Sequence, residues 1–262
     1  MRQILRIALF AALGAGVLSV AGCSDESSST AATSSVVPAA NAQETAPAAP
    51  AAGAQDTAAP AAGAAAAAPA KPAVDVPAAN GSVDVAKLME PGPLPDVVVG
   101  KADAPVTIVE YASMTCPHCA AFAINTLPEI KKTYIDTGKA KLILREFPFD
   151  PRAVAAFMLA RCAPGDRREA MVDVLFAQQE SWAHADNASA ALLGIAKLAG
   201  FTQESFTACL NDKDLQAKVV ATQQRGQSEF GVEATPTLFV NGQRYSGALN
   251  AAQLSAVIDS ML

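Results

Sequence analysis

Histidine is nearly missing from this chain: only His118 and His184 occur in 262 residues. Cysteine is scarce too, at positions 23, 116, 119, 162 and 209, with a single Cys-x-x-Cys spacing. A structural zinc site needs four ligands and usually draws them from two such pairs. One pair and two histidines argue against it, and no metal site is expected. There is no block of lysine and arginine, and the net charge is −6. Nucleic-acid binding depends on neutralising phosphates, so no nucleic-acid partner is expected. The apolar run that opens the chain, Ile7 to Ala21, falls short of the roughly 20 residues that span a bilayer. Residues 24–82 have almost no large apolar side chains, which excludes a packed core there.

The opening run has the marks of an export signal: Arg2 and Arg6 precede it and small residues close it. It ends in Val20-Ala21-Gly22-Cys23, which resembles the bacterial lipobox. That resemblance makes residues 1–22 a signal peptide and Cys23 a lipidated N-terminus. The product would be a lipoprotein held at a membrane in the periplasm. If the lipobox is not used, for instance with cleavage after Ala40-Asn41-Ala42, the protein is soluble in the periplasm. Residues 23–82 are expected to form a disordered tether. From Ala46 to Ala79, 25 of 34 residues are Ala or Pro, a composition that gives an extended, partly polyproline-like spacer.

Globular composition begins near Val83, leaving a domain at 83–262. Val106–Tyr111 is β-branched and mostly apolar, the pattern of a buried strand. A helix is expected from Cys116 to about Thr137, and a second strand at Lys141–Phe147. Residues 151–230 read as successive helices interrupted at Gly165, Asn187 and Gly200, with Trp182 and Phe176 as packing residues. Asn187-Ala-Ser189 matches a glycosylation sequon, read as chance in this export context. Leu238–Val240 and Gln243–Tyr245 flank Asn241-Gly242, a strong hairpin signal. Asn250 and Gln253 form a capping box for a last helix carrying Leu254, Val257, Ile258 and Met261. The order predicts an α/β fold with a parallel strand–helix–strand unit and a helical insertion.

The chemistry centres on Cys116-Pro117-His118-Cys119. At a helix start, this spacing puts two sulfurs within bonding distance. Pro117 suits the first turn, where a missing N–H is no loss, and Thr115 is a candidate cap. A Cys116 thiolate would face the positive end of the helix dipole, with His118 adding to the effect. A stabilised thiolate favours the reduced form and makes the disulfide an oxidant. In an oxidising compartment Cys162 and Cys209 are expected to pair as a structural disulfide, with a second redox centre as the rival.

With these residues in place, the stretch from about Asp96 to Leu262 resembles the DsbA-like thiol:disulfide oxidoreductases of the thioredoxin-fold superfamily. The tetrapeptide is typical of the oxidases. Glu110 stands where family members carry a buried acid, and Thr235-Pro236 where the fold places a cis-proline facing the active site. The resemblance implies a thioredoxin fold with an inserted helical domain. Cys116 would be the exposed attacking sulfur, Cys119 the resolving one, and Pro236 would present the Thr235 backbone to substrate. Glu110 is either a proton relay to Cys119 or a structural acid. No cofactor is implied beyond the redox-active Cys116–Cys119 disulfide. Implied partners are reduced exported proteins and a membrane DsbB-like quinone-linked oxidase. The expected function is introduction of disulfides into exported proteins. Thr235 also occurs before the proline in isomerase and reductase relatives, which keeps those directions open. Isomerases of this superfamily carry a separate dimerisation domain that residues 24–82 cannot supply, so a monomer is expected. The rival from another class is a non-catalytic thioredoxin-like lipoprotein or metal-binding module.

Overall fold

The computed structural model describes residues 75–262. The expected signal peptide, Cys23 and the tether up to residue 74 lie outside these residues. A five-stranded sheet has the order β1-β3-β2-β4-β5, with β1 at Val98–Val99, β2 at Val106–Ala112, β3 at Ala140–Glu146, β4 at Thr237–Val240 and β5 at Gln243–Ser246. Strands β2 and β3 run parallel, and the other neighbouring pairs are antiparallel. The central strand β2, Val-Thr-Ile-Val-Glu-Tyr-Ala, is buried along nearly its whole length, which suits a run of β-branched residues covered on both faces.

Alternate residues of β2 feed different cores. Val106 and Ile108 pack with Ile130, Leu254 and Val257. Ala112 and Leu144 extend the same face into the helical insertion. Val109 and Tyr111 point the other way, against Phe230 and Phe239. Glu110 therefore shares the insertion face with Leu144, its register partner on β3.

Short helix α1 (Val85–Leu88) precedes the sheet. The helix after β2 is not continuous. Helix α2 runs Pro117–Asn125, α3 runs Leu127–Ile130, and a π-helical turn covers Lys131–Ile135. Pro128, in the first turn of α3, cannot donate a backbone hydrogen bond and so divides the expected 116–137 helix. The insertion consists of α4 (Pro151–Cys162), α5 (Arg168–Ala177), α6 (Gln179–Ala183), α7 (Ala188–Leu198), α8 (Gln203–Asn211) and α9 (Lys213–Phe230). Side-chain caps start most of them: Asp150 for α4, Asn187 for α7, Thr202 for α8 and Asp212 for α9. Cys162 and Cys209 form a disulfide that joins α4 to α8. The last helix, α10 (Ala251–Asp259), opens on the reciprocal Asn250–Gln253 box.

The hairpin turn has positive φ at both Asn241 (45°) and Gly242 (82°), as a type I′ turn demands. Contacts with the sheet begin before the Val83 boundary. Asn80 N–H donates to Arg244 O (2.7 Å), Ser82 bridges Gln243, and the Arg244 guanidinium donates to Asn80 O (2.9 Å). These residues have little to bury, yet the open edge of β5 offers unpaired backbone groups that any residue can satisfy.

Candidate active site

The loop Ser113-Met114-Thr115 carries the chain from the end of β2 to the start of α2. Cys116 is the N-cap residue of α2, with extended backbone (φ −81°, ψ 119°), and Pro117 follows in the first turn. The carbonyl of Cys116 accepts from the N–H groups of Cys119 and Ala120, both at 3.1 Å. Cys119 lies one turn inside and is fully buried; Cys116, expected as the exposed sulfur, is itself buried, with 9% exposure left under the Thr235 loop. Pro117 and the His118 side chain face solvent. Both cysteines are free thiols here.

Thr115 does not cap α2. Its hydroxyl donates instead to Asp150 Oδ2 (2.5 Å), and Asp150 Oδ1 accepts from the N–H groups of Arg152 and Ala153. One carboxylate thus joins the cysteine loop to the start of α4. Gln179, buried on α6, makes a second tie: its Nε2 donates to Met114 O (2.7 Å) and Cys116 O (3.0 Å). Neither connection is visible in the sequence, because Asp150 and Gln179 lie 35 and 63–65 residues from their partners and match no local motif.

The Thr235–Pro236 peptide bond is cis. It brings the Thr235 carbonyl over the cysteine, and Cys116 Sγ donates to it at 3.3 Å. The Thr235 hydroxyl is buried without a fixed partner. Thus Cys116, Pro117, His118, Cys119, Thr235 and Pro236 converge, and Glu110 lies beneath them on β2.

The electrostatics are asymmetric. Cys116 is pulled from 9.0 down to about 5, first by the hydrogen bond from the Cys119 thiol, then by the Thr235 hydroxyl when it turns to the thiolate and by the N–H groups of Cys119 and His118, with burial opposing. The helix dipole acts in the same direction. Cys119 is pushed well up by that same hydrogen bond, by burial, and by the nearby Glu110 and Cys116 charges. Glu110, 3% exposed, is pushed from 4.5 to about 8 by burial and then by the charge on Cys116. Its Oε1 has no partner. A pocket with about 30 Å³ of free space lies beside it, lined also by Leu144, Arg168 and Phe176; that is room for a water.

One other set of predicted residues stands apart from this cluster. Cys162–Cys209 lies within the insertion, and Cys23 is outside the described residues. No grouping of three or more His, Cys, Asp or Glu among the described residues could hold a metal. No described helix is long and apolar enough to cross a membrane.

A thioredoxin family model matches residues 94–260. A Rickettsia bellii protein named "Putative protein-disulfide oxidoreductase" is 35% identical over 170 residues, 64% of this chain and 64% of that one. This chain therefore spans less than two thirds of that relative. A Bacillus cereus protein named probable disulfide bond formation protein D is 33% identical over 155 residues, covering 55% of this chain and 69% of the other. Among solved structures, alpha-DsbA1 of Wolbachia pipientis matches with a TM-score of 0.63 and 32% identity, over 68% of this chain and 96% of that one.

Proposed function

Because the chain belongs to the thioredoxin family and shares its fold with DsbA proteins, we propose that it is a thiol:disulfide oxidoreductase that introduces disulfides into exported proteins. The observation that carries this reading is the split between the two sulfurs, with Cys116 held down near 5 and Cys119 pushed up.

In the oxidised enzyme, a substrate thiolate attacks Cys116 Sγ. A mixed disulfide forms, the Cys116–Cys119 bond breaks, and the electron pair goes to Cys119. Cys119 then needs a proton, because its ionised form is strongly disfavoured. Glu110, buried close by and protonated at neutral pH, supplies it. A second substrate thiolate attacks the substrate sulfur of the mixed disulfide, and Cys116 leaves as a stable thiolate. Low pKa in the leaving thiol speeds this step. The substrate is oxidised by two electrons and the enzyme ends as the dithiol. The carbonyl of Thr235, held by cis Pro236, offers the substrate chain a backbone acceptor beside Cys116. His118, exposed on the first turn of α2, supports the thiolate when charged.

Re-oxidation falls to a membrane quinone-linked oxidase of the DsbB kind. The compartment is the periplasm, with a lipid anchor at Cys23 and a monomeric catalytic domain on a tether. The deciding measurement is the reduction potential of the Cys116–Cys119 pair, equilibrated against glutathione. A value well above about −200 mV supports the oxidase, and one near the roughly −270 mV of thioredoxin overturns it. Cys119→Ala should trap a mixed disulfide with reduced substrate, and Cys116→Ser should abolish it.

A further inference from the structure

Beside Cys116 lies an open groove of about 690 Å³ that neither the tetrapeptide nor the cis-proline loop explains. It is lined by Cys116 and Pro117 on one side, by Phe149, Asp150 and Arg152 on another, and by His184 on the insertion. Phe149 is 55% exposed, an apolar ring left in solvent next to the reacting sulfur. Of the polar side chains here, Thr115 and Asp150 bond each other, Asp150 also caps α4, and Arg152 donates to Ala183 O (2.5 Å). His184 alone among them makes no hydrogen bond in the described residues.

Its placement is fixed by the fold. His184 ends α6, whose first residue, Gln179, is bonded to Met114 O and Cys116 O. Trp182 is fully buried and donates from Nε1 to Leu175 O (2.8 Å). Arg152 holds the carbonyl of Ala183, immediately before the histidine. The helix that bears His184 is thus fastened to the cysteine loop at one end and to α4 at the other. Of the two histidines in the chain, one stands two residues after Cys116 and the other lines this groove with it.

We infer that His184 is a catalytic base for the incoming thiol: it takes the proton from a reduced cysteine of an extended polypeptide docked along Phe149. The inference rests on the oxidoreductase reading. The imidazole nitrogen accepts the S–H proton as the substrate sulfur attacks Cys116 Sγ. The Cys116–Cys119 bond breaks, Cys119 takes the electron pair and is protonated by Glu110, and the imidazolium returns its proton to water. The occupant is a substrate segment because the groove is continuous with Cys116, where the mixed disulfide must form. The charged groups around the imidazole are Cys116 at the start of α2, Asp150 and Arg152 at the start of α4, and Glu180 and Asp186 on its own segment. An ordinary thiol of pKa about 8.5 is roughly 1% ionised at pH 6.5, so a base has room to act at that pH and none above about pH 9.

The test is single-turnover oxidation of a reduced cysteine peptide by the full chain and by His184→Gln, across pH 5.5 to 9.5. The expected rate ratio is about ten at pH 6.5, falling to one above pH 9. The reduction potential and the alkylation rate of Cys116 should be the same in both proteins, since His184 does not bond to Cys116. A ratio of one throughout, or one constant with pH as for docking alone, overturns the inference while leaving the oxidase reading in place. Failure of the wild-type chain to oxidise the peptide at any pH would overturn both.

Discussion

Acidification should strip the reduced protein of a defined part of its stability, and the amount follows from Cys116. The thiol lies at about 5 in the fold against 9.0 when unfolded. A depressed pKa gives stability that is complete above pH 9 and is lost as pH falls through 5. The full four-unit shift is worth about 5 kcal/mol, and about half of it, roughly 3 kcal/mol, is realised at pH 7. Cys116 lies on the wall of an open groove, so solvent screening makes these figures upper values. The oxidised form has no such thiol. The same about 3 kcal/mol therefore makes the pair more oxidising by about 60 mV at pH 7 than one with ordinary thiols.

Glu110 complicates the measurement, because part of its upward shift comes from the Cys116 charge and exists only in the reduced form. The clean experiment uses Glu110→Gln. In that background the reduction potential should fall by about 59 mV per pH unit below pH 5, where two protons accompany two electrons. Above pH 5 it should fall by about 30 mV per unit, because reduced Cys116 no longer takes up its proton. Thiolate absorbance gives the same midpoint independently. A single slope of about 59 mV per unit from pH 4 to 8 would refute the reasoning, because Cys116 would then be an ordinary thiol.

Glu110→Gln also tests the buried acid by urea denaturation. A raised carboxyl pKa gives stability that is complete below pH 4.5 and lost as pH rises through about 8; the variant should match wild type at pH 4 and exceed it by about 3 kcal/mol at pH 7. Replacing Cys162 and Cys209 together by alanine opens a link across 47 residues. It should cost about 4 kcal/mol in denaturant titrations with the peptide-oxidation rate unchanged, whereas a second redox centre would show as a slower rate. Glu146→Ala leaves the half-buried Arg161 and Arg168 without their shared carboxylate and should cost about 3 kcal/mol by the same method.

The parts of the fold that could be read from sequence depend on neighbouring residues. Asn241-Gly242 sets a turn because both positions need positive φ, and Asn250 with Gln253 caps a helix by bonding three residues away. Gly165, Asn187 and Gly200 mark helix breaks for equally local reasons. Pro128 carried a signal of the same kind, a missing N–H, against the run of apolar residues that suggested one long helix. Other features left no local trace. Strand β1 has two residues and exists because β3 offers an edge. Asn80–Ser82 joins the sheet through backbone groups and one arginine, which an Ala/Pro-rich stretch does not announce. Gln179 carries no local signal in the sequence, and only tertiary packing brings its amide to Cys116 O.

The two acids Glu110 and Glu146 show where sequence reasoning stops. Each sits in an apolar strand, and β2 and β3 are nearly identical in burial pattern. Their register puts both on the face that meets the insertion. The difference is who approaches. Arg161 and Arg168 reach Glu146 from α4 and α5, and burial of that carboxylate is met by two cations. No cation bonds Glu110: Arg168 lines the water-sized space beside it, yet Glu110 Oε1 is left without a partner. A buried acid that two arginines reach fixes the insertion onto the sheet. One without them is held protonated at neutral pH, which is the state a donor to Cys119 must be in. On the proposed mechanism, the same residue type on the same face thus splits into a strut and a proton source, according to whether arginines of the insertion bond it.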